Sequence, residues 1–344
     1  MGNPVIVSSV RTPFGRRGGA LGRRHSTYLL AHVQREVLSR VELPPRSVGQ
    51  IVGGCATPVG ELGLNPTRMA WLSAGMPYEV AASTIDCVCG SSQQANHMVH
   101  NLIVAGAIDA GIACGVEVMS RVGMGANTLQ GPGRVKPRDF PYDMPDQFIA
   151  AERIAKKHGF TRHDVDQVGL RSQERAAQAV ESGRFAAEIA PIQMPLEVDG
   201  IPSDADLWVE RDEGLRATTL KGLAALKPTV EGGIHTAGNT SQISDGAAAL
   251  LFMDESKAKA LGLRPRARIV DQVVVGTDPY FHIEGPLDAT AALLARTGMQ
   301  LSDIDVIEIN EAFAAVVLAW LRRYELDLEQ VNVNGGAIAL GHPM

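Results

Sequence analysis

The stretch Ser47-Val48-Gly49-Gln50-Ile51-Val52-Gly53-Gly54-Cys55 returns late in the chain as Ser302-Asp303-Ile304-Asp305-Val306-Ile307-Glu308-Ile309-Asn310. In both copies a polar lead-in runs into a short β-branched segment and ends on Cys or Asn, the pattern of a buried strand that delivers a polar group at its tip. A second pair follows in the same order: Asp86-Cys87-Val88-Cys89-Gly90-Ser91 is matched by Val331-Asn332-Val333-Asn334-Gly335-Gly336. Copies this far apart indicate a duplicated domain, because repeat arrays recur at about 20–50 residues.

Around these anchors the pattern alternates. Residues 5–10 form a compact β-branched run that Arg11-Thr12-Pro13-Phe14-Gly15 breaks, which predicts a first strand ending in a loop. Ser26 or Thr27 can cap a helix whose apolar positions recur at Leu30, Val33, Val37 and Val41, before Pro44-Pro45 stops it. Residues 51–52, 83–88 and 111–114 read as strands and 92–105 as a helix, so the expected class is α/β with layered sheets and helices. From 121 to 250 the chain is richer in Gly, Pro and charge around two helical stretches, 150–157 and 163–181, which predicts an inserted loop domain. The first pattern then resumes with a strand at Arg268-Ile269-Val270 and a helix over 288–297. The expected organisation is an N-terminal half (1–120), the insert (121–250) and a shortened second half (251–344).

Composition narrows the function classes. The chain has 344 residues, 45% hydrophobic and 20% charged, which suits a packed globular protein and excludes a disordered or fibrous one. With 32 basic and 38 acidic residues the net charge is -6, so no global field draws it to nucleic acid or an anionic membrane. An anionic ligand would have to be met locally. The cysteines Cys55, Cys87, Cys89 and Cys114 lack the spacing of a secreted disulfide framework, and no uncharged run reaches the roughly 18 residues of a membrane span. The expected location is the cytoplasm. Arg16-Arg17 and Arg23-Arg24-His25 read as solvated loop, and no Gly-x-Gly-x-x-Gly follows a strand.

Three residues invite a chemical reading. Cys89 stands where a strand gives way to a Gly-Ser turn and a helix, and free N–H groups at such an end favour a thiolate, lowering a cysteine pKa from about 8.5. A buried structural thiol is the alternative there. Cys87, Cys89, His97 and His100 also supply two thiols and two imidazoles, although Cys-x-Cys followed by seven residues is not a common zinc spacing; no metal is expected. His342, held between Gly341 and Pro343, suits a base in a fixed irregular backbone. Asn310 can donate a hydrogen bond to a developing oxyanion or a water, or simply cap its strand.

Taken in order, the motifs resemble the thiolase family over the whole chain. They are Arg11–Gly15, Cys89-Gly90-Ser91-Ser92-Gln93-Gln94-Ala95, Gly115-Val116-Glu117-Val118-Met119-Ser120, the stretch Thr236–Ser241 with Asp245-Gly246-Ala247-Ala248, Asn310-Glu311-Ala312-Phe313, and the run from Gly335-Gly336 to Gly341-His342-Pro343. The resemblance implies duplicated βαβαβαββ halves in an α/β/α/β/α core carrying an inserted loop domain. It also implies coenzyme A-dependent Claisen chemistry, the thiolysis of 3-oxoacyl-CoA or its reverse, with a place in fatty acid β-oxidation. By the same analogy Cys89 carries the acyl group, His342 takes its proton and Asn310 positions a water. Ser241, Arg216 and Phe313 would serve the coenzyme A site, and Gln147 and His282 the acyl pocket. Coenzyme A is then a substrate, no cofactor is bound, and a homodimer or homotetramer is expected. Alternatives are an acyl-CoA-binding relative without catalysis and a ketoacyl-synthase relative, which usually has His where Asn310 stands.

The resemblance further implies a second cysteine in a Cys-x-Gly segment beyond Gly-His-Pro, and this sequence ends two residues after His342. A fragment of a longer protein is therefore expected; a chain truly ending there would lose condensation and thiolysis yet could still be acylated on Cys89. Gln147-Phe148 and His282-Ile283 each replace a Met-Gly pair beside the acyl pocket, and a bulkier residue than Gly there predicts a substrate other than acetoacetyl-CoA.

Overall fold

The computed structural model describes residues 2–129, 133–198 and 201–344. The β-branched runs of the first half become β1 (Pro4–Arg11), the short β2 (Gly15–Arg16), β3 (Gln50–Gly54), β4 (Ala81–Ile85) and β5 (Ala110–Val118). Between them lie α1 (Ser26–Ser39), α2 (Pro66–Ser73) and α3 (Ser91–Val104), and after them the short α4 (Ala126–Leu129). The cap of α1 is neither expected hydroxyl: the His25 side chain accepts from the Thr27 N–H, because Ser26 donates to Glu61 at 2.5 Å.

These strands join β8 (Ser244–Asp254) in one sheet of order β1-β8-β5-β3-β4, with β2 also on β8. β3 runs parallel to β4 and β5, and β8 runs antiparallel to β5 and β1. β8 passes through residue 250, the expected end of the insert, so the first sheet is closed by a strand that follows the insert in sequence. β5 is buried along its whole length, as a central strand covered on both faces must be. Ile112, Cys114 and Val116 pack toward α1 and α2, while Ala113 packs with Ala95, Val99 and Ile103 of α3.

The insert contains α5 (Gln147–His158), α6 (Arg162–Glu181) and α7 (Leu220–Ala224), and a two-stranded ribbon of β6 (Ile192–Val198) and β7 (Ile201–Val209) that the loop-rich composition did not announce. α8 (Glu255–Ala260) and α9 (Gly285–Thr297) follow, then α10 (Ala314–Tyr324) and the short α11 (Ala337–Leu340). Ile154, Val165, Val168, Phe313 and Trp320 join α5, α6 and α10 in a second core.

Two expected strands fail to form. Residues 268–270, read as a strand, make no ladder, and Val270 is 83% exposed. Residues 304–310 likewise carry only the single parallel bridge Ile307 to Val331, the counterpart of the β3–β4 pair. The first half gives the reason. There β1 and β3 are separated by β8 and β5, so their counterparts in the second half cannot pair directly, and no described strand fills the two positions between them. α9 accordingly buries none of its residues.

Arg11 ties the insert to the first sheet. It is buried, donates two parallel bonds to Asp212 at 2.7 and 3.0 Å and one to Glu188 at 2.7 Å, and lies over the rings of Phe14 and Phe185. The Asp212 side chain is fully buried, so Arg11→Met would strand a carboxylate. A loss of about 3–5 kcal/mol is expected, read as a lower urea midpoint with unchanged slope.

Candidate active site

The nucleophile turn is built from its own polar side chains. Asp86 accepts the Val88 N–H at 2.8 Å, and the Ser91 hydroxyl accepts the Cys87 N–H at 2.9 Å while donating to the Val88 carbonyl at 2.5 Å. Between Cys87 and Cys89 the chain doubles back on Val88, whose φ of 52° is unusual for a β-branched residue and whose side chain is 65% exposed. Strain of this kind costs about 1–3 kcal/mol and persists where surrounding bonds fix it. It sets Cys89 directly ahead of α3.

The thiol departs from the sequence expectation. Cys89 is open at the surface as a residue, but burial of its sulfur, and secondarily the Glu117 carboxylate, push the thiol up rather than down. Charge desolvation outweighs the helix end. Cys55 and Cys114, buried outright, are pushed up to about 12 and are structural. His342 moves oppositely: burial lowers it from its ordinary value and keeps the imidazole neutral, ready to accept a proton. The resting pair is a thiol and a free base.

His342 and Asn310 meet in a cleft of about 280 Å³ that Phe14, Glu308, Gly336 and Leu340 also line. Asn310 is held by Asn332, whose amide accepts from the Ile309 N–H at 2.7 Å and donates to the Ile309 carbonyl at 2.9 Å, standing in for a neighbouring strand. The same amide donates to Glu311 at 2.9 Å. Glu311, buried and pushed up by that burial, also accepts from the Ser172 hydroxyl at 2.6 Å and the Ile338 N–H at 3.1 Å. Any Cβ at Gly336 would overlap the Glu311 carboxyl, and Gly341, at φ 85°, turns the chain out of α11 into His342. Gln242 donates to the carbonyls of Ile338 and Ala339 at 3.1 and 2.6 Å and fixes that loop from the other side.

Cys89 does not line this cleft, but the last residues carry the loop to it. A Cβ at Gly115 would overlap the Ser92 hydroxyl and stand 2.9 Å from the Met344 carbonyl carbon, so Met344 lies against the first turn of α3. Ser241 is paired to the Asn310 loop through its N–H on the Ala312 carbonyl at 3.0 Å, and Arg216 comes within 3.5 Å of Gln242. Phe313 is buried, its ring edge-on to Phe148 and His235, so it supports the loop from behind. Gln147 opens α5 and donates to the Met124 sulfur at 3.2 Å; His282 follows a turn, 279–281, whose Tyr280 stacks under Arg153 of the same helix. Sequence reasoning had not singled out Glu311, Asn332, Ser172 or Gln242 for a role; a buried Glu inside an apolar run was the one available signal. Among the described residues no group of three or more His, Cys, Asp or Glu side chains could hold a metal, and no helix is long and apolar enough to cross a membrane. A larger cleft of about 530 Å³, beside the Arg121–Glu61 ion pair, is lined by Ser120 but by no cysteine or histidine among the described residues.

Comparison with known proteins shows the family and the fold. The family model described as Thiolase, N-terminal domain matches residues 4–256, and Thiolase, C-terminal domain, matches residues 263–344. The chain belongs to the thiolase family, whose members are coenzyme A-dependent acyltransferases. It is 40% identical to the steroid 3-ketoacyl-CoA thiolase FadA6 of Mycobacterium tuberculosis, an alignment covering 100% of this chain and 84% of that protein. It is 42% identical to a 3-ketoacyl-CoA thiolase of Yersinia enterocolitica, covering 100% and 89%. The crystal structure of the Bacillus anthracis acetyl-CoA acetyltransferase superposes with a TM-score of 0.89 at 35% identity, covering 100% of this chain and 88% of that one.

Proposed function

We propose that this chain transfers acyl groups between coenzyme A thioesters through an acyl-Cys89 intermediate, in the thiolysis of 3-oxoacyl-CoA or its reverse. In the condensing direction His342 takes the thiol proton, the Cys89 sulfur attacks the thioester carbonyl, the bond from that carbonyl to the coenzyme A sulfur breaks, and coenzyme A leaves with the proton that His342 returns; run backwards, the same step releases the acyl group to coenzyme A at the end of thiolysis. Asn310 orders a water at the thioester oxygen, where charge develops. Ser241 and Arg216 serve the pantetheine and phosphate of coenzyme A, and Phe313 backs that loop. The observation that carries the reading is the shared cleft of Asn310 and His342, beside a loop whose end rests on the helix that Cys89 precedes.

The acyl pocket is read as unsuited to the smallest substrate. Phe148, which by the resemblance stands where many members have Gly, packs at 5.4 Å on Phe313, and Gln147 precedes it at the start of α5. The steroid-acting relative and the 3-ketoacyl-CoA thiolases are similarly distant, so the acyl class is left to measurement. Mixing the protein with acyl-CoA should release a burst of one free coenzyme A per chain, faster with medium, branched or cyclic acyl groups than with acetyl. A burst fastest with acetyl-CoA would contradict the pocket reading, and no burst with any of them would contradict the acyl-enzyme. A homo-oligomer and a cytoplasmic location complete the proposal: among the described residues β4 pairs only with β3, and its open edge, beside the exposed Tyr78 and Val88, suits a second copy.

A further inference from the structure

Side chains alternate across a strand. On β5, Ala113 faces α3, so Gly115 and Glu117 face α3 too. Gly115 already meets Ser92 and Met344 on that face. On the adjoining β8, Gly246 is the partner of Glu117, and a Cβ there would stand 2.7 Å from the Pro343 ring. Glu117 therefore rises from the sheet between the first turn of α3 and the His342 loop. We propose that Glu117 is a positioning residue for the nucleophile, a carboxylate beneath the Cys89 turn that keeps the thiol protonated until His342 takes its proton. The proposal rests on the reading of Cys89 as the nucleophile.

The carboxyl is 2% exposed and unevenly bonded. One oxygen accepts the Ala56 N–H at 3.0 Å, and Thr57 adds its hydroxyl and N–H, whereas Oε1 is buried without a hydrogen bond among the described residues. Ala56 and Thr57 favour the ionised form, and burial together with Asp86 of the nucleophile turn opposes it. Its charge acts in turn on Cys55 at the end of β3 and on Cys89. From the remaining sides, His342 comes with the final loop, Ser92 of α3 meets Gly115 on the same face, and Asp245 of β8 is turned away to the Ser120 N–H at 2.8 Å. A thiol held up in this way is a stronger nucleophile once deprotonated and a poorer leaving group once acylated, so the acyl-enzyme waits for its second substrate.

The test is the pH dependence of iodoacetamide alkylation at Cys89, followed by peptide mass mapping in the intact chain. Glu117→Gln should lower the alkylation midpoint by about one pH unit or more, since an adjacent like charge is removed. Glu117→Asp, which keeps the charge, should restore the midpoint toward wild type. Thr57→Val, which takes polar cover from the carboxylate and leaves its charge less screened, should move the midpoint the opposite way, upward, and carries the test if Glu117→Gln does not fold. An unchanged midpoint in the folded variant overturns the proposal. If wild-type Cys89 takes no acetyl group from acetyl-CoA, the functional reading itself has failed, whereas acylation with an unmoved midpoint removes only the role of Glu117.

Discussion

Cys89→Ala is expected to abolish acyl transfer, lowering the burst of coenzyme A by about 10⁴-fold or more, the scale of loss when a covalent nucleophile is removed. The expectation is specific to this cysteine. Cys55 and Cys114 are buried with thiols pushed up to about 12, and neither lies in the nucleophile turn. Cys87 is exposed but precedes Val88, with its N–H held by the Ser91 hydroxyl, and it is Cys89 that leads into the Gly90 cap of α3. Cys87→Ala should therefore keep most of the burst. Calorimetric titration with coenzyme A should show Kd within a few-fold of wild type for Cys89→Ala, because the loop of Ser241 and Arg216 does not depend on the sulfur. A normal burst in Cys89→Ala would mean that another group carries the acyl chain.

His342→Ala should slow acylation by about 10²–10⁴-fold, the range for a positioned general base. The pH profile gives the sharper reading. Burial depresses the His342 pKa, so the imidazole remains an acceptor below the ordinary value of about 6.5 and protonates only as the pH falls further. The acid limb of the wild-type acylation rate should accordingly lie below about pH 6.5 and vanish in His342→Ala. An acid limb at or above that value would mean that His342 is solvated and free to charge. A limb that survives the substitution would belong to another group, with Glu308 in the same cleft the first candidate, its carboxyl pushed up by partial desolvation and by Glu311.

Much of this was legible in the sequence because it is local. The β-branched runs, the turn before α3 and the helices α5 and α6 are written in residues close to one another, and the structure forms them within a few positions of the expected bounds. The long-range parts were not legible. β8 looks like the tail of the insert, yet it enters the first sheet between β1 and β5, a pairing set by burial on both faces rather than by any nearby signal. Residues 268–270 read as a strand by composition, but a strand needs a ladder, and the single bridge from Ala267 to Ile6 of β1 does not extend into them. The site was legible as a set of motifs and not as a mechanism. Position alone predicted a lowered Cys89, and it is burial of the thiol, with Glu117 adding to it, that reverses the sign. The Glu311–Ser172–Asn332 network that fixes Asn310 joins three segments far apart in the chain, so spacing could not reveal it.

The most direct measurement is peptide mapping of the protein after brief exposure to acetyl-CoA at neutral pH. One acetyl group per chain, on the peptide bearing Cys89 and absent in Cys89→Ala, is the predicted result. An unmodified Cys89, or acetyl found instead on Cys87 or on lysines, would contradict the acyl-enzyme on which the account stands.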